Sequence, residues 1–493
     1  MVHKDVVVVG GGNAGLCAAL SVREAGLDVL VLDRNSRESS GGNTRFTGGG
    51  FRVVVANEEQ AKQLVPDLTD TELKQFLYYE EGKFFDDWAR VTRDRADSDQ
   101  VETIIKNSFD TLVWMKGKGV PFLPWHEWHG IPVGVSGAGA GLVEALTTAA
   151  TKAGITISYD SRATSLRKEE GCVVGLVYEH GGEVIEVTAG AVILAAGGFQ
   201  SSPEWRTRHL GPGWDLARVR GTWTNTGDGI RMAVEQGAQT YGHWSGCHAT
   251  PWDYNAPTFG DHRIGDMFKK HFYHLGITVN AAGDRFVDEA SDFKSYTYAK
   301  FGREISTQPD QLAWQVFDAK VTNLLGDEYR MKRMTKVKAD TLEGLADKLA
   351  GVDKEGFLRT VADYNAAVQT DKEFDLDVLD GRAAPGLPVP RANWANALDT
   401  PPFEAYEVTC GITFTFGGVR INTRAEVVGF DDRPIPGLYA TGEMVGGNFY
   451  FNYPGGSGLT SGSVFGRIAG RGVAALFGSG AAGATGRPAV SAT

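Results

Sequence analysis

Four consecutive valines, Val6 to Val9, run into Gly10-Gly11-Gly12-Asn13-Ala14-Gly15, and the spacing of apolar residues then changes. From Leu16 to Ala25 it is helical, and a second apolar run, Asp28 to Leu32, ends in Asp33. This order predicts a βαβ unit with G-x-G-x-x-G in its first turn and an acid 18 residues after Gly15. Gly10 permits the tight turn, Gly12 lets backbone approach a pyrophosphate, and Gly15 lets the helix lie close to the strand. Asn13 and Ala14 lie in the turn ahead of the helix, whose N-terminal N–H groups and partial positive charge suit phosphates. Asp33 is placed to accept hydrogen bonds from a ribose, with Arg34 beside it.

The rest of the chain alternates in texture. Ser39 to Gly50 is a polar glycine-rich loop. Helical spacing follows from Thr69 to Gly117, through Leu73, Phe76, Leu77, Phe84, Phe85 and Trp88. Pro121 to Pro132 reads as an aromatic loop holding His126 and His129. A helix is expected over Gly141 to Ala153, a strand over Ile155 to Tyr159, and a hairpin over Val173 to Val187 around His180-Gly181-Gly182. A buried strand, Ala191 to Ala195, runs into Ala196-Gly197-Gly198-Phe199. From Gly242 to Pro390 the chain is richer in aromatics, with helices expected near Gln311 to Leu325, Thr341 to Leu349 and Lys354 to Val368. After Phe403 the glycine-rich texture returns, with strands at Arg420 to Ile421 and Gly437 to Ala440 and a last helix from Thr460 to Phe477.

The expected class is therefore α/β with an α+β cap. A discontinuous Rossmann-like domain takes residues 1–241 and 391–493, with a helical excursion over about 57–130. A capping domain, 242–390, is inserted, which places a ligand cleft at the domain interface. The Gly/Ala/Ser-rich tail of 478–493 is expected to be disordered, and no internal repeat is visible.

Composition narrows the function. A net charge of −12 argues against nucleic acid as the main partner. Cys17, Cys172, Cys247 and Cys410 are scattered without a C-x-x-C pair, as in a reducing compartment. No apolar run has the length of a spanning helix, and the N-terminus enters the first strand directly, so a cytoplasmic protein with no integral membrane segment is expected. His126 and His129 are spaced i, i+3 between Pro124 and Gly130, unlike a zinc helix, and no metal is expected.

A single complete G-x-G-x-x-G followed by a long glycine-rich loop points to FAD, because more backbone is needed to reach an isoalloxazine. Gly41, Gly42, Asn43, Thr44, Thr47, Gly48 and Gly49 belong to that loop. Thr441-Gly442-Glu443 supplies an acid for the ribityl chain, and Ser457, Gly458 and Leu459 enter the last helix facing the flavin N1/O2 edge.

These residues, with Ala440 to Glu443, Ala195 to Phe199, Thr226 to Gly229 and the GSVFGRIAGR of 462–471, resemble the fumarate reductase/succinate dehydrogenase flavoprotein superfamily over nearly the whole chain. Gly41 to Thr47, Trp244 to Asp253, Arg285 to Arg303, Thr409 to Val419 and Asn448 to Gly462 look most like its tricarballylate dehydrogenase branch. The resemblance implies a hydride moving between flavin N5 and a saturated carbon, with a proton moving at the next carbon. It adds Ala163, Ala196, Gly197, Gly198 and Asp228 to the cofactor-binding set. It also implies an electron-acceptor protein as a partner.

Departures from the family pattern carry information. Asn43 stands where membrane-bound succinate dehydrogenases have the histidine that bonds FAD, so the FAD is expected to be non-covalent. Phe414 and Tyr453 take the places of a histidine and an arginine that hold substrate carboxylates in soluble fumarate reductases. Tyr453-Pro454-Gly455-Gly456 instead resembles the segment of 3-ketosteroid dehydrogenases in which a tyrosine hydroxyl and a backbone N–H polarise a ketone. His248 matches the family histidine on the cap. The family's proton-transfer position, after the segment Arg285 to Glu289, falls at Phe293 or Lys294; Lys294, Tyr296 and Tyr298 are the local groups able to move a proton, with Lys294 preferred. Glu289 is expected to pair with Arg285. The leading expectation is an FAD-dependent CH–CH dehydrogenase or reductase acting on a small organic acid or cyclic ketone. The alternatives are an electron-relay flavoprotein docked to an iron–sulfur or quinone-linked partner, and a flavin oxidase.

Overall fold

β1 (Val2–Val9) buries Val6 to Val9 while Val2 and His3 are exposed and Lys4 and Asp5 half-buried, as fits a parallel strand covered on both faces only near its end. α1 (Asn13–Glu24) and β2 (Val29–Leu32) follow. The chain next forms α2 (Glu81–Thr92), α3 (Ser98–Gly117) and α4 (Ala138–Lys152). It returns as β3 (Thr156–Ser158), β4 (Ser161–Glu169), β5 (Cys172–His180) and β6 (Glu183–Leu194). α5 (Asp228–Glu235), β7 (Thr240–Asp253), β8 (Ile277–Asn280), α6 (Lys294–Ser306) and β9 (Ala313–Phe317) come after. β10 (Lys336–Ala339), α7 (Lys354–Ala367), β11 (Phe403–Val419), β12 (Glu426–Val428), β13 (Pro434–Ala440) and α8 (Ser457–Gly478) complete the principal elements. This computed structural model describes residues 2–125 and 129–478, so the readings at His126 and in the tail beyond 478 lie outside the described residues.

The chain divides into two compact units. One holds the chain up to Asp215, Gly221–Cys247 and everything from Phe414; the other holds Leu216–Arg220 and His248–Thr413. In the first unit an eight-stranded sheet has the order β12-β13-β6-β1-β2-β3, with β5 on β6 and β4 on β5. The pairs β1–β2, β1–β6, β6–β13 and β2–β3 are parallel, with Val6 opposite both Val29 and Ala191. The β5–β6 hairpin turns through Gly181 and Gly182, both at positive φ, as a two-residue loop requires. α1 and α8 lie against each other so closely that a Cβ on Gly466 would stand 2.5 Å from the Ala14 carbonyl oxygen.

In the second unit α7 packs Phe357 and Val361 against a sheet whose buried side chains include Ile277, Val279, Trp314, Val316 and Phe403. Three expectations differ from the structure here. Residues 391–413 stay with this unit instead of returning to the nucleotide-binding body at 391, because Ala405 in β11 pairs with both Val316 in β9 and Val337 in β10. Gly242 to Cys247 conversely remains with the first unit. The helix expected near Gln311 to Leu325 is replaced in its first part by the strand β9, buried at all five positions and antiparallel to β8 and β11, and Thr322–Leu324 turns as a short 3-10 helix. Ala-Trp-Gln-Val-Phe has no polar face, so its sheet partners decide its conformation.

Candidate active site

The glycine turn after β1 is built as its motif requires. Gly10 has φ 116°, and a Cβ there would stand 2.2 Å from the Ala195 carbonyl oxygen; a Cβ on Gly15 would stand 1.9 Å from the Gly10 carbonyl oxygen. Gly12 differs: its backbone is extended, and a Cβ would meet nothing nearer than 3.4 Å. Gly12 caps α1 with no side-chain hydrogen bond and no acid in the first turn, which leaves the end that an anion prefers. The Asn13 amide hydrogen-bonds Leu459 O and Ser463 Oγ, each at 2.9 Å. The beginnings of α1 and α8 are thereby tied together, and neither has an acid in its first turn. Two positive helix ends meet at one place.

The early loop closes on this point. Asn13 N–H donates to Thr44 Oγ1 at 3.0 Å, and Asn43 Oδ1 accepts from Thr222 N–H at 3.0 Å. Gly41 packs on Val143 and Gly49 on Ala138, which hold the loop against α4. The Asp33 carboxylate accepts from Ser40 Oγ at 2.6 Å and Asn35 N–H at 2.9 Å, which fixes its orientation beside Gly11. Arg34 and Asp228, both expected at the cofactor, pair with each other at 3.0 Å, and Arg162 joins them next to buried Ala163. Glu443 is fully buried and accepts from Gln200, Asn225 and the Thr415 N–H. Burial pushes its carboxyl up to about 7. A Cβ on Gly198 would collide with Glu443 and Thr415, and one on Gly197 with Asn225, so Ala196 to Gly198 run as bare backbone past this acid. Open backbone at Gly12, two helix starts with no acid in the first turn and a buried, amide-ringed acid fit FAD: α1 would hold its pyrophosphate, Glu443 its ribityl chain and α8 its pyrimidine edge.

Tyr453 stands before α8 in a box of rings. Phe414 and Phe449 meet it edge-on with centroids 5.1 and 5.0 Å away, and Phe416 packs against both. Tyr453 is 5% exposed, and its hydroxyl oxygen accepts from the Gly458 N–H at 3.0 Å. Arg52 is completely buried and holds this segment from behind: Nε donates to Gly455 O at 2.7 Å, Nη1 to Tyr79 Oη and Nη2 to His129 O. Its charge faces Asp87, also completely buried, at 3.5 Å. The position of Arg52, just past the glycine-rich loop, carried no sequence signal of this role.

In the second unit, His248 and Tyr298 meet edge-on at 4.7 Å, and Tyr298 meets His271 at 5.1 Å. His271 shares a hydrogen bond with Thr250. Both histidines are held well below the usual imidazole range by burial, then by the positive charge of Arg220. They are neutral at pH 7. Arg220 itself is locked by Asp266 through Nε and Nη2 and donates to Thr413. Lys294 begins α6 with its ammonium over the Phe272 ring at 4.3 Å, and its charge further disfavours protonated His271 and His274. Lys294 and Tyr298 share a face of α6, while Tyr296 is on the other side. Glu289 pairs with Arg285 and accepts from Thr278 N–H, a structural role. The reading from sequence missed His271; its one signal was a histidine-rich Lys-Lys-His-Phe-Tyr-His run, 269–274. Among the described residues no group of three or more His, Cys, Asp or Glu is arranged to hold a metal ion, and no helix is long and apolar enough to cross a membrane.

Fold and site together define an FAD-dependent oxidoreductase of the CH–CH type. Residues 5–459 match the FAD binding domain family, and the chain belongs to it. It is 31% identical over 487 residues to the probable fumarate reductase Ifc3 of Shewanella frigidimarina, covering 94% of this chain and 74% of that protein. The open conformation of a flavocytochrome c3 fumarate reductase superposes with a TM-score of 0.74 at 28% identity, over 96% of this chain and 78% of the other. A 3-ketosteroid Δ1-dehydrogenase from Sterolibacterium denitrificans, solved with 1,4-androstadiene-3,17-dione, gives a TM-score of 0.75 at 21% identity over 96% and 100% of the two chains, a likeness of fold.

Proposed function

We propose that Tyr453, seated on the start of α8, holds the activating oxygen of the substrate. The observation that carries this is the 3.0 Å hydrogen bond from Gly458 N–H to Tyr453 Oη. A phenol oxygen that accepts from an amide at a positive helix end becomes a stronger donor through its own O–H. Charge building on a carbonyl or carboxylate oxygen during proton loss or gain at the neighbouring carbon is then stabilised. FAD, when bound, supplies the hydride chemistry.

Phe414 and Phe449 surround this donor with rings, not cations, which favours a substrate with an apolar body and one activating oxygen, a cyclic ketone or an unsaturated monoacid. The segments resembling tricarballylate dehydrogenases support that branch as the runner-up, with a tricarboxylate as substrate. We assign proton transfer to Lys294 on α6, with neutral His248 as a substrate hydrogen-bonding group and Tyr298 orienting it. Tyr296 is given no step. Asn43 supports a dissociable FAD. The buried, unbridged Cys17, Cys172, Cys247 and Cys410 support a reducing, cytoplasmic setting. An electron-exchanging protein partner belongs to the same reading through the superfamily resemblance.

Anaerobic mixing of the oxidised enzyme with cyclic ketones, monoacids, dicarboxylates and tricarboxylates tests the proposal. Bleaching of the flavin band by a ketone or monoacid is expected. Bleaching by tricarboxylates alone would favour the runner-up. Reduction solely through a protein partner, or fast reoxidation by air with peroxide release, would replace it with a relay or an oxidase.

A further inference from the structure

A cavity lies wholly within the first unit, with a volume of about 690 Å³. Its walls are Arg95, Arg208, His209, His243, Trp244, Ser245, Tyr450 and Phe451, with the backbone of Gly242. Neither Tyr453 nor any glycine of the nucleotide turn lines it. The size falls within the range of small-molecule sites.

The chemistry of its walls is one-sided. Two guanidinium groups line it and no carboxylate does. Arg208 has one exposed ion pair, with Glu204 one turn away, a contact worth little in water. The nearby acid Asp97 is engaged elsewhere, by Gln100 N–H and the Tyr241 hydroxyl. Burial and neighbouring Arg208 hold His209 below the usual imidazole range, so it presents a neutral ring. His243 accepts the Phe451 N–H at Nδ1, 3.0 Å away, which leaves Nε2 as its donor position. The flat faces are arranged as well: His243 stacks on Tyr450 with the planes 6° apart, and Trp244 stacks on Phe199 at 11°. Phe451 is held at φ 62°, a strained conformation for a bulky residue. Finally, the Trp244 Nε1–H is buried, and among the described residues no acceptor is within hydrogen-bonding reach. Orphaned buried donors are uncommon and commonly mark a missing partner.

We propose that this cavity binds a planar organic anion of the aromatic carboxylate kind, held by Arg95 and Arg208 and seated against the rings of Trp244 and Tyr450. The carboxylate answers the guanidinium groups, and the flat body answers the rings. The site is separate from the one at Tyr453 and does not depend on the flavin chemistry.

Calorimetric titration of the FAD-loaded enzyme with benzoate, and with benzamide as its uncharged isostere, tests this. Benzoate is expected to bind at one site per chain, benzamide at least tenfold more weakly, and the Arg95→Ala/Arg208→Ala double variant to lose benzoate affinity by roughly tenfold or more. Tyr453→Phe is expected to leave benzoate affinity unchanged. No benzoate binding, equal binding by the double arginine variant, or loss of binding in Tyr453→Phe with the arginine variant unaffected would each overturn the proposal. The last result would place the anion at Tyr453 instead.

Discussion

Arg52 Nε and the Gly455 carbonyl oxygen are joined by a 2.7 Å hydrogen bond across 403 residues of sequence. A fully buried cation thereby fixes the turn that carries Tyr453 into α8. Arg52 adds its own N–H to Gly456 O, and Thr460 Oγ1 donates to Arg52 O at 2.7 Å, so the turn is held on three sides. Arg52→Ala strips Asp87 of its buried partner. The expected loss of stability is on the order of 3 kcal/mol, at the low end for a broken buried pair because Lys83 still reaches Asp87 at 3.1 Å. Thermal melts of wild type, Arg52→Ala and the double variant Arg52→Ala/Asp87→Asn measure it. The double variant is expected to recover part of the loss. No destabilisation by Arg52→Ala would contradict the assigned role.

Gly12 and Gly15 separate folding from cofactor binding. A Cβ at 15 would overlap the Gly10 carbonyl oxygen at 1.9 Å, whereas a Cβ at 12 finds 3.4 Å of clearance and ordinary backbone angles. Gly15→Ala is expected to impair folding outright. Gly12→Ala is expected to melt within about 1 kcal/mol of the apo wild type while binding FAD at least tenfold more weakly, because the methyl group stands where the pyrophosphate approaches. Flavin fluorescence titration of the refolded apo-proteins decides it. Equal FAD affinity in wild type and Gly12→Ala would remove the pyrophosphate from this turn.

pH acts on the buried carboxyls and the buried imidazoles with opposite sign. The Glu443 carboxyl is raised by burial to about 7, above its ordinary 4.5, so the folded chain holds a proton that the unfolded chain has released. In the apo-protein this stabilisation is complete below pH 4.5 and is lost as pH rises through 7. Glu407, raised to about 7 by burial and then by Asp253, acts in the same direction. His248 and His271 are depressed, so what they contribute is present above pH 6.5 and is lost on acidification. Glu443→Gln in the apo-protein is expected to flatten the fall in melting temperature between pH 5 and 8, and His271→Gln to flatten the fall below pH 6.5. Variants whose melting profiles keep the wild-type shape would contradict these assignments.

The sequence showed most where local chemistry and tertiary structure agree. The glycine turn, the two-glycine hairpin at 181–182 and the helix beginning α7 each carry their own geometric signal. β9 misled because a short apolar run without a polar face suits helix and strand equally, and its neighbours in the sheet are more than thirty residues away in sequence or nearly a hundred. The seventeen residues of β11 were not read as a strand, since the first half takes its structure from β9 and β10. The same limit hid Arg52 and His271: a lone arginine or histidine carries no spacing, and their partners come from distant segments.

Tyr453 bears the central claim, and a paired rate measurement tests it most directly. Flavin reduction by the screened substrate is followed anaerobically in wild type and Tyr453→Phe, with FAD content and melting temperature measured on the same samples. Removing the phenol hydroxyl is expected to slow reduction by roughly tenfold or more while both variants retain FAD. Equal reduction rates in two fully FAD-loaded, equally stable proteins would contradict the account.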